Sequence, residues 1–188
     1  MTHSKTALLL IDAQASFPAR DYWDEDLAHD WRPRQRAVLN AAQAHNIPVI
    51  RILHEEPGSQ GPFDPDYGLI RPLDDFNDDV AVTYHKRAHN AFTDTSLGDW
   101  LREHGIERLA ISGIRTEQCC ETTARVASDL GFSVDFISDA TLTFPMTRHG
   151  ITWSADDIKA RTELVLEGRF ARIISTHDMI NEWQNTRE

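Results

Sequence analysis

The chain has 188 residues, a mass of 21.4 kDa and a formal net charge of −11, and 40% of its residues are hydrophobic. This length and composition fit one compact core, so we expect a single domain over residues 1–188. The negative charge argues against nucleic acid or an anionic membrane as a partner, because both bind basic surfaces. A small-molecule substrate is therefore favoured.

The only two cysteines, Cys119 and Cys120, are adjacent in the sequence. Neighbouring cysteines cannot join distant loops, which excludes the disulfide framework of a small secreted protein. No stretch approaches the roughly 20 apolar residues that a membrane-spanning helix needs. We expect a soluble, cytoplasmic protein.

Short apolar runs alternate with segments of helical spacing. The runs predict six buried strands, at residues 7–11, 49–53, 80–84, 109–112, 134–137 and 172–174. Helical spacing marks residues 31–45, the region after Asp94, and a segment that begins at the capping-box pair Ser154 and Asp157 and stops at Gly168. This order predicts an α/β fold, a three-layer α/β/α sandwich that is Rossmann-like, with a central, mostly parallel six-stranded sheet.

Residues 55–79 depart from this regularity, with four prolines, three glycines and six aspartates but no sustained apolar period. A loop of this length inside a compact domain is usually functional. It could cover the site or dock against a second subunit. Trp23 and Trp31 could also contribute to an interface with a second subunit.

Polar residues follow three of the predicted strands: Asp12, Lys86 and, after a short segment, Cys119. Ligands bind beyond the carboxyl ends of parallel strands, so we expect these side chains at one edge of the sheet. A thiol becomes a strong nucleophile when a cation and a helix N-terminus stabilise its thiolate. Lys86 could supply the cation, and Asp12 could carry the thiol proton to the leaving group.

The helix N-terminus is predicted at Thr116, a natural N-cap that would place Cys119 near the third helical position. Each residue alone has a simpler interpretation. Asp12 could be a turn former, Lys86 part of a solvated basic patch, and Cys119 a buried core residue. The hypothesis depends on the three together.

Around these residues the chain resembles the isochorismatase-like cysteine hydrolases, which include nicotinamidases, N-carbamoylsarcosine amidase and ureidoacrylate amidases. Residues 113–124 are similar to the family pattern Gly-x-x-Thr-x-x-Cys-Val-x-x-Thr-Ala. Residues 12–17 resemble its Asp-x-Gln-x-x-Phe motif, and residues 86–97 its Lys-x-x-x-x-Ala-Phe-x-x-Thr-x-Leu segment. The three motifs occur in family order, and the resemblance spans nearly the whole chain.

The resemblance implies a nucleophilic Cys119 with Asp12 and Lys86 as its catalytic partners. It implies a cis peptide between Ile114 and Arg115, and an oxyanion hole built from the backbone N–H groups of Arg115 and Cys119. The expected reaction is hydrolysis of a small amide, imide or ureido substrate through a thioester acyl-enzyme. A homodimer or homotetramer is the expected assembly.

Nicotinamidases carry an Asp-x-His metal cluster at the end of the second strand, where this chain reads Arg-Ile-Leu-His over residues 51–54. We therefore expect no metal and no cofactor. Arg115, together with Arg87, could hold a substrate carboxylate, or could be an exposed or interface arginine. The candidate pocket residues are Gln14, Phe17, His54, Phe92 and Phe144.

Other functions remain open. An isochorismatase-type enzyme would cleave a vinyl ether and would not depend on a cysteine nucleophile. A thiol redox protein would use the Cys119-Cys120 pair, although adjacent helical cysteines bridge only by distorting the backbone. Cys120 falls where the family usually has valine, which favours packing. A binding or scaffold protein that keeps only the fold is a further alternative.

Overall fold

The computed structural model describes residues 5–185, so residues 1–4 and 186–188 of the predicted domain lie outside the described range. The strands are, in chain order, β1 (Thr6–Ile11), β2 (Val49–His54), β3 (Val82–Lys86), β4 (Arg108–Ile114), β5 (Ser133–Leu142), β6 (Met146–Arg148), β7 (Ile151–Trp153) and β8 (Arg172–Ile174). Six of them form one sheet in the order β3-β2-β1-β4-β5-β8, and every neighbouring pair is parallel. The predicted α/β class is confirmed.

Helices cover both faces of the sheet. They are α1 (Glu25–Ala44), α2 (Leu97–Glu103), α3 (Glu121–Asp129), α4 (Ala155–Leu166) and α5 (Thr176–Asn185). The apolar side chains of α1 and α5 belong to one core cluster, and those of α2, α3 and α4 belong to the other. The molecule therefore has the predicted three layers. No helix within residues 5–185 is long and apolar enough to cross a bilayer.

Helix α4 begins at the predicted capping box. The Ser154 hydroxyl accepts a hydrogen bond from the Asp157 backbone N–H at 3.1 Å, and the Asp157 carboxylate accepts one from the Ser154 backbone N–H at 2.9 Å. Each side chain satisfies a backbone donor that the helix leaves unpaired. The start of this helix is thus confirmed.

Strand β1 lies in the middle of the sheet, between β2 and β4, and is buried at every position. Successive side chains enter opposite core clusters: Leu8 and Leu10 join the α1 side, while Leu9 and Ile11 join the α3 side. A continuous apolar strand is typical of a parallel sheet that is covered on both faces. Asp12 follows directly, so it emerges at the centre of the sheet's carboxyl edge.

Gly113 in β4 allows a close approach to β1. Its φ is 125°, and a Cβ there would lie 1.9 Å from the carbonyl oxygen of Ile11. We expect Gly113→Ala to lower the free energy of unfolding by about 3 kcal/mol or more, since only backbone movement relieves this overlap. Urea denaturation measures the loss. In the control Gly105→Ala (φ 64°), the added Cβ meets no atom within 4 Å, so a cost of about 1 kcal/mol is expected. Equal losses of unfolding free energy in the two variants would contradict a steric overlap between the added Cβ at position 113 and Ile11.

The second half of the segment 55–79 is anchored to the core through Leu73 and Phe76, while most of its other residues are exposed or half-buried. Leu73 donates its backbone N–H to the carbonyl of Ala13 at 2.9 Å, and the Arg51 guanidinium donates to the carbonyl of Phe76 at 3.0 Å. The Phe76 side chain is fully buried. These contacts make this half a fixed wall beside the chain that follows β1.

Trp31 is not available to an interface. It is only 2% exposed, and its Nε1–H donates to the carbonyl of Ala140 at 2.8 Å. The expectation for this residue was wrong because Trp31 lies on the face of α1 that packs against the sheet. Trp23 is partly buried and packs against Phe144, with 5.5 Å between ring centroids.

Candidate active site

The carboxyl ends of β1 and β3 and the chain after β4 bring three predicted residues together. Lys86 Nζ lies 2.9 Å from Asp12 Oδ2 and 3.3 Å from Cys119 Sγ. All three side chains are buried, with residue exposures of 0% for Asp12, 1% for Lys86 and 6% for Cys119. They are distant in the sequence and meet because their strands share one sheet edge. Their catalytic roles stay predictions.

Lys86 has two further acceptors, the carbonyl of Ala88 and Nδ1 of His54, both at 3.2 Å. Burial is the largest single effect and lowers the pKa of Lys86, but the charges and hydrogen bonds of Asp12 and Cys119 together raise the pKa above its usual value, so the lysine is charged. Burial and the neighbouring Lys86 charge lower the pKa of His54. The neutral ring can therefore accept from Lys86 at Nδ1 while its Nε2–H faces Glu56 Oε1 at 3.3 Å.

The thiol of Cys119 is protonated in the free protein. Burial, the largest cause, and the negative charge of Asp12 raise the pKa of Cys119 well above its usual range, and Lys86 opposes them only in part. Burial therefore outweighs the stabilisation that Lys86 gives to the thiolate, and the role of Lys86 as the cation beside a nucleophilic sulfur stays a prediction. Attack by the sulfur needs a base. Asp12 Oδ1 is buried and makes no hydrogen bond within residues 5–185.

We expect Asp12→Asn to lower the pKa of Cys119 by about one unit or more, because a nearby negative charge opposes ionisation of the thiol. Thiolate absorbance at 240 nm, followed against pH, measures this midpoint. A Cys119→Ser background corrects for other absorbing groups. Asp99→Asn, which removes a carboxylate from the exposed start of α2, should leave the midpoint where it is. A midpoint that rises in Asp12→Asn would contradict the assignment.

The peptide bond between Ile114 and Arg115 is cis. Beyond it, Thr116–Cys120 forms a single wide turn in which the Cys120 N–H donates to the Arg115 carbonyl at 3.2 Å. Helix α3 follows this turn. The N–H groups of Arg115 and Cys119 as an oxyanion hole stay a prediction.

Thr116 does not cap the helix. Its hydroxyl pairs with the hydroxyl of Thr141 at 2.7 Å, and the turn has no side-chain cap. The predicted N-cap was wrong because β5 extends far enough to offer Thr141 as a partner. This pairing joins the wide turn to the neighbouring strand.

Gln14 is a brace between two strand ends. Its Nε2 donates to the Ser16 hydroxyl and to the His54 carbonyl, each at 2.9 Å, and its Oε1 accepts from the His54 N–H at 2.7 Å. The residue has no exposed surface. Its amide therefore holds the chain after β1 to the end of β2 instead of facing a pocket.

Two of the predicted pocket aromatics pack against other aromatic rings. Phe17 packs edge-on against Phe63 at 5.0 Å, and it is Phe63 that contacts the ring of His54, at 5.8 Å. Phe92 stacks at 6.0 Å on Phe132, which directly precedes the amino end of β5. Phe92 thus packs against the core cluster on the α3 side, and its place in a substrate pocket stays a prediction.

Phe144 belongs to a cluster around Arg115. The Arg115 guanidinium lies 4.8 Å from the ring centroid of Tyr22 and 5.7 Å from that of Phe144, and its Nε is 3.0 Å from Glu117 Oε1. Arg115 is only 8% exposed, so it is not a surface arginine. Arg87 is exposed and forms its ion pair elsewhere. Sequence reasoning missed Tyr22 and Glu117, although Glu117 lies inside the cysteine motif.

The end of β2 does not provide the ligands of a metal cluster. Arg51 donates to backbone carbonyls, and the ring nitrogens of His54 face Lys86 and Glu56. Across residues 5–185, no group of three or more His, Cys, Asp or Glu side chains is arranged to hold a metal ion. We assign no step to a metal, and metal-free chemistry stays a prediction.

The buried cysteine, lysine and aspartate lie together at the carboxyl edge of the parallel sheet, where the resemblance to the isochorismatase-like hydrolases led us to expect them. The family model described as the isochorismatase domain matches residues 6–176. The chain belongs to the isochorismatase family of hydrolases, which confirms the resemblance seen in the three motifs.

Curated relatives include YrdC of Bacillus subtilis, an isochorismatase family protein that is 28% identical over 97% of this chain and 98% of its own length. Streptothricin hydrolase of Streptomyces noursei is 33% identical over 73% of this chain and 54% of its own length. Nicotinamidase 3 of Arabidopsis thaliana is 42% identical over a shorter match, 36% of this chain and 34% of the relative.

Among solved structures, a Burkholderia xenovorans protein described as an isochorismatase superposes on this chain with a TM-score of 0.89 and is 26% identical to it. The match covers 98% of this chain and 89% of that protein. The fold is therefore shared over nearly the full length of both chains.

Proposed function

We propose that the protein hydrolyses a small amide, imide or ureido compound through a thioester on Cys119. The observation that carries this proposal is the buried cluster in which Lys86 contacts both Asp12 and Cys119. The similarity to a nicotinamidase, whose name denotes cleavage of an amide, supports the same class of bond.

In the first half of the reaction, Cys119 Sγ attacks the substrate carbonyl carbon while its proton passes to Asp12. The oxyanion of the tetrahedral intermediate accepts hydrogen bonds from the N–H groups of Arg115 and Cys119. One such donor is worth roughly 3 kcal/mol in other hydrolases. Asp12 then protonates the leaving nitrogen as the C–N bond breaks. This step leaves a thioester, or a thiocarbamate from a ureido group, and the leaving group is ammonia or an amine, or an amide when the substrate is an imide.

In the second half, a water molecule attacks the thioester carbon and gives its proton to Asp12. The C–S bond breaks, and the sulfur of Cys119 takes the proton back from Asp12. The products are a carboxylic acid, or a carbamic acid from a ureido group, and the restored thiol. Lys86 keeps its charge throughout and holds Asp12 and the sulfur in place.

The rival redox function has little support from the site. Cys120 is fully buried within the core cluster on the α3 side, and burial raises the pKa of its thiol well above the usual range. Cys119 is protonated as well. A disulfide exchange protein needs an accessible thiolate, which neither cysteine provides in the free protein.

The test is a panel of small primary amides, imides, ureido acids and isochorismate, assayed for release of ammonia, amine or carboxylate. Rapid quenching followed by intact-mass analysis and peptide mapping would locate an acyl adduct. We expect turnover of at least one C–N substrate, with the adduct on Cys119. Turnover of isochorismate without cleavage of any C–N bond would overturn the proposal and favour vinyl ether hydrolysis.

A further inference from the structure

We propose that the Arg115 guanidinium binds a carboxylate on the substrate, which narrows the substrate class to amide or ureido acids. This inference rests on the proposed function for the identity of the reacting bond. It concerns a separate part of the site, the arginine side chain that projects beside the proposed oxyanion hole.

The Arg115 side chain is 91% buried, since only 9% of it is exposed. Two aromatic rings hold its guanidinium, Tyr22 at 4.8 Å and Phe144 at 5.7 Å. Tyr22 lies in the connection that leads from Asp12 to α1, and Phe144 lies just beyond the carboxyl end of β5. The guanidinium is thus fixed between two segments at the carboxyl edge of the sheet.

The buried guanidinium has an incomplete set of partners. Its ion pair with Glu117 runs through Nε at 3.0 Å, but neither Arg115 Nε nor Glu117 Oε1 makes a well-aligned hydrogen bond within residues 5–185. The other oxygen of Glu117 accepts from the Thr143 hydroxyl at 2.5 Å. No residue in the described range 5–185 accepts a hydrogen bond from the two terminal nitrogens of Arg115. Unlike Nε, these two nitrogens are not fully buried, so the edge of the guanidinium that they form is open to a ligand from solvent.

The geometry of the free edge of the guanidinium suits a carboxylate ligand. Its two terminal nitrogens present parallel N–H groups, the fork that matches the two oxygens of a carboxylate. The same residue supplies a backbone N–H to the proposed oxyanion hole, so the fork lies within one side-chain length of the reacting carbonyl. A carboxylate only a few bonds from the scissile C–N bond could reach both.

Glu117 supports this role by orienting the guanidinium. It contacts the Nε side and leaves the terminal edge unoccupied, while Thr143 holds its second oxygen. The stack on Tyr22 and Phe144 restrains the plane of the fork. A side chain held in this way loses little further conformational entropy when a carboxylate binds.

The test compares alkylating agents that differ only in a carboxylate. Iodoacetate is paired with iodoacetamide, and 3-bromopropionate with 3-bromopropionamide; in each case the sulfur of Cys119 displaces the halide. The ratio of the acid rate to the amide rate cancels the ionisation of the thiol. In Arg115→Met this ratio should fall about tenfold for at least one pair, the effect of losing charge-assisted hydrogen bonds. Peptide mapping confirms that Cys119 carries the label.

Arg102→Met is the control for loss of an arginine, because Arg102 is an exposed arginine in the last turn of α2 that lies 3.6 Å from Asp99. Its acid-to-amide ratio should equal that of the native protein. Arg115→Lys keeps the charge without the fork and should give an intermediate ratio; it also serves if the methionine variant fails to fold.

A purely structural role for Arg115 would slow the acid and amide reagents equally. Ratios within twofold of the native value for both pairs would therefore overturn the carboxylate assignment. This result is distinguishable from failure of the proposed hydrolysis, which the turnover panel detects without alkylation. If the native protein cleaves neutral amides while Arg115→Met keeps the native ratios, the proposed hydrolysis stands and the assignment of a carboxylate to Arg115 is wrong.

Discussion

Cys119→Ala is expected to lower kcat for the C–N bond substrate by about 10⁴-fold or more, because the proposed reaction has no other nucleophile. The substitution should leave the fold intact. The side chain is small, and Lys86 keeps three acceptors: Asp12, His54 and the Ala88 carbonyl. Steady-state release of ammonia or amine measures the loss, and intact-mass analysis should find no acyl adduct on the variant.

Cys120→Ala is the matched control for this prediction. Cys120 is the neighbouring residue, is fully buried and contacts the core on the α3 side. Its replacement should cost some stability and leave turnover close to the native value. If Cys119→Ala kept its rate, the chemistry would not proceed through sulfur. If Cys120→Ala lost turnover to the same extent, a role for the vicinal pair would return.

Lys86→Met is expected to remove turnover and to lower the free energy of unfolding by about 3 to 5 kcal/mol, because it leaves the Asp12 carboxylate buried without a cation. The double variant Asp12→Asn with Lys86→Met should recover most of this stability, since neither side chain is then charged. It should remain inactive. Urea denaturation with linear extrapolation measures stability, and the substrate panel measures turnover.

Lys5→Met is the control for loss of a lysine ion pair. Lys5 pairs with Glu107 on the surface, and both side chains are more than half exposed. Exposed pairs contribute little, so stability and turnover should stay close to native. A Lys86→Met variant as stable as the native protein would mean that Asp12 does not need the lysine. Failure of the double variant to regain stability would assign the cost to packing rather than to charge.

The central strands of the sheet could be predicted from sequence because β1 and β4 are buried on both faces and are mostly apolar. All six predicted strands exist, and the run at residues 172–174 coincides with β8 (Arg172–Ile174). Strand β5 runs to Leu142, beyond the predicted end at residue 137, because a register shift near Gly113 lets polar residues continue the pairing. Residues 138–142 include several polar residues, so a search for apolar runs does not identify them as part of a strand.

The hairpin of β6 and β7 could not be predicted from apolar periodicity, since all its strand residues are exposed. The sequence feature that indicates this hairpin lies in its two-residue turn. His149 and Gly150 both have positive φ values, 52° and 75°, as a two-residue hairpin turn requires. Asparagine is the common residue at the first of these positions, and histidine there is a weak indication.

The candidate site was predictable to the extent that chain position determines it. Asp12, Lys86 and Cys119 could be placed at one edge because each lies at or beyond the carboxyl end of a strand; Lys86 is the last residue of β3, two residues beyond the predicted end of that strand. The protonation state of the Cys119 thiol could not be predicted, because it depends on burial and on how the charges of Lys86 and Asp12 act on the sulfur. The brace formed by Gln14 depends on hydrogen bonds across strands, which motif spacing does not reveal.

The ammonium of Lys86 has three protons and faces four acceptors: Asp12 Oδ2, His54 Nδ1, the Ala88 carbonyl and Cys119 Sγ. At any moment one of the four is without a lysine proton. As the proposed reaction turns the thiol into a thioester, the sulfur becomes a poor acceptor. A small rotation about the terminal C–N bond then redirects that proton to a neighbour. The surplus of acceptors thus lets the site change its bonding through both half-reactions while the sheet stays still.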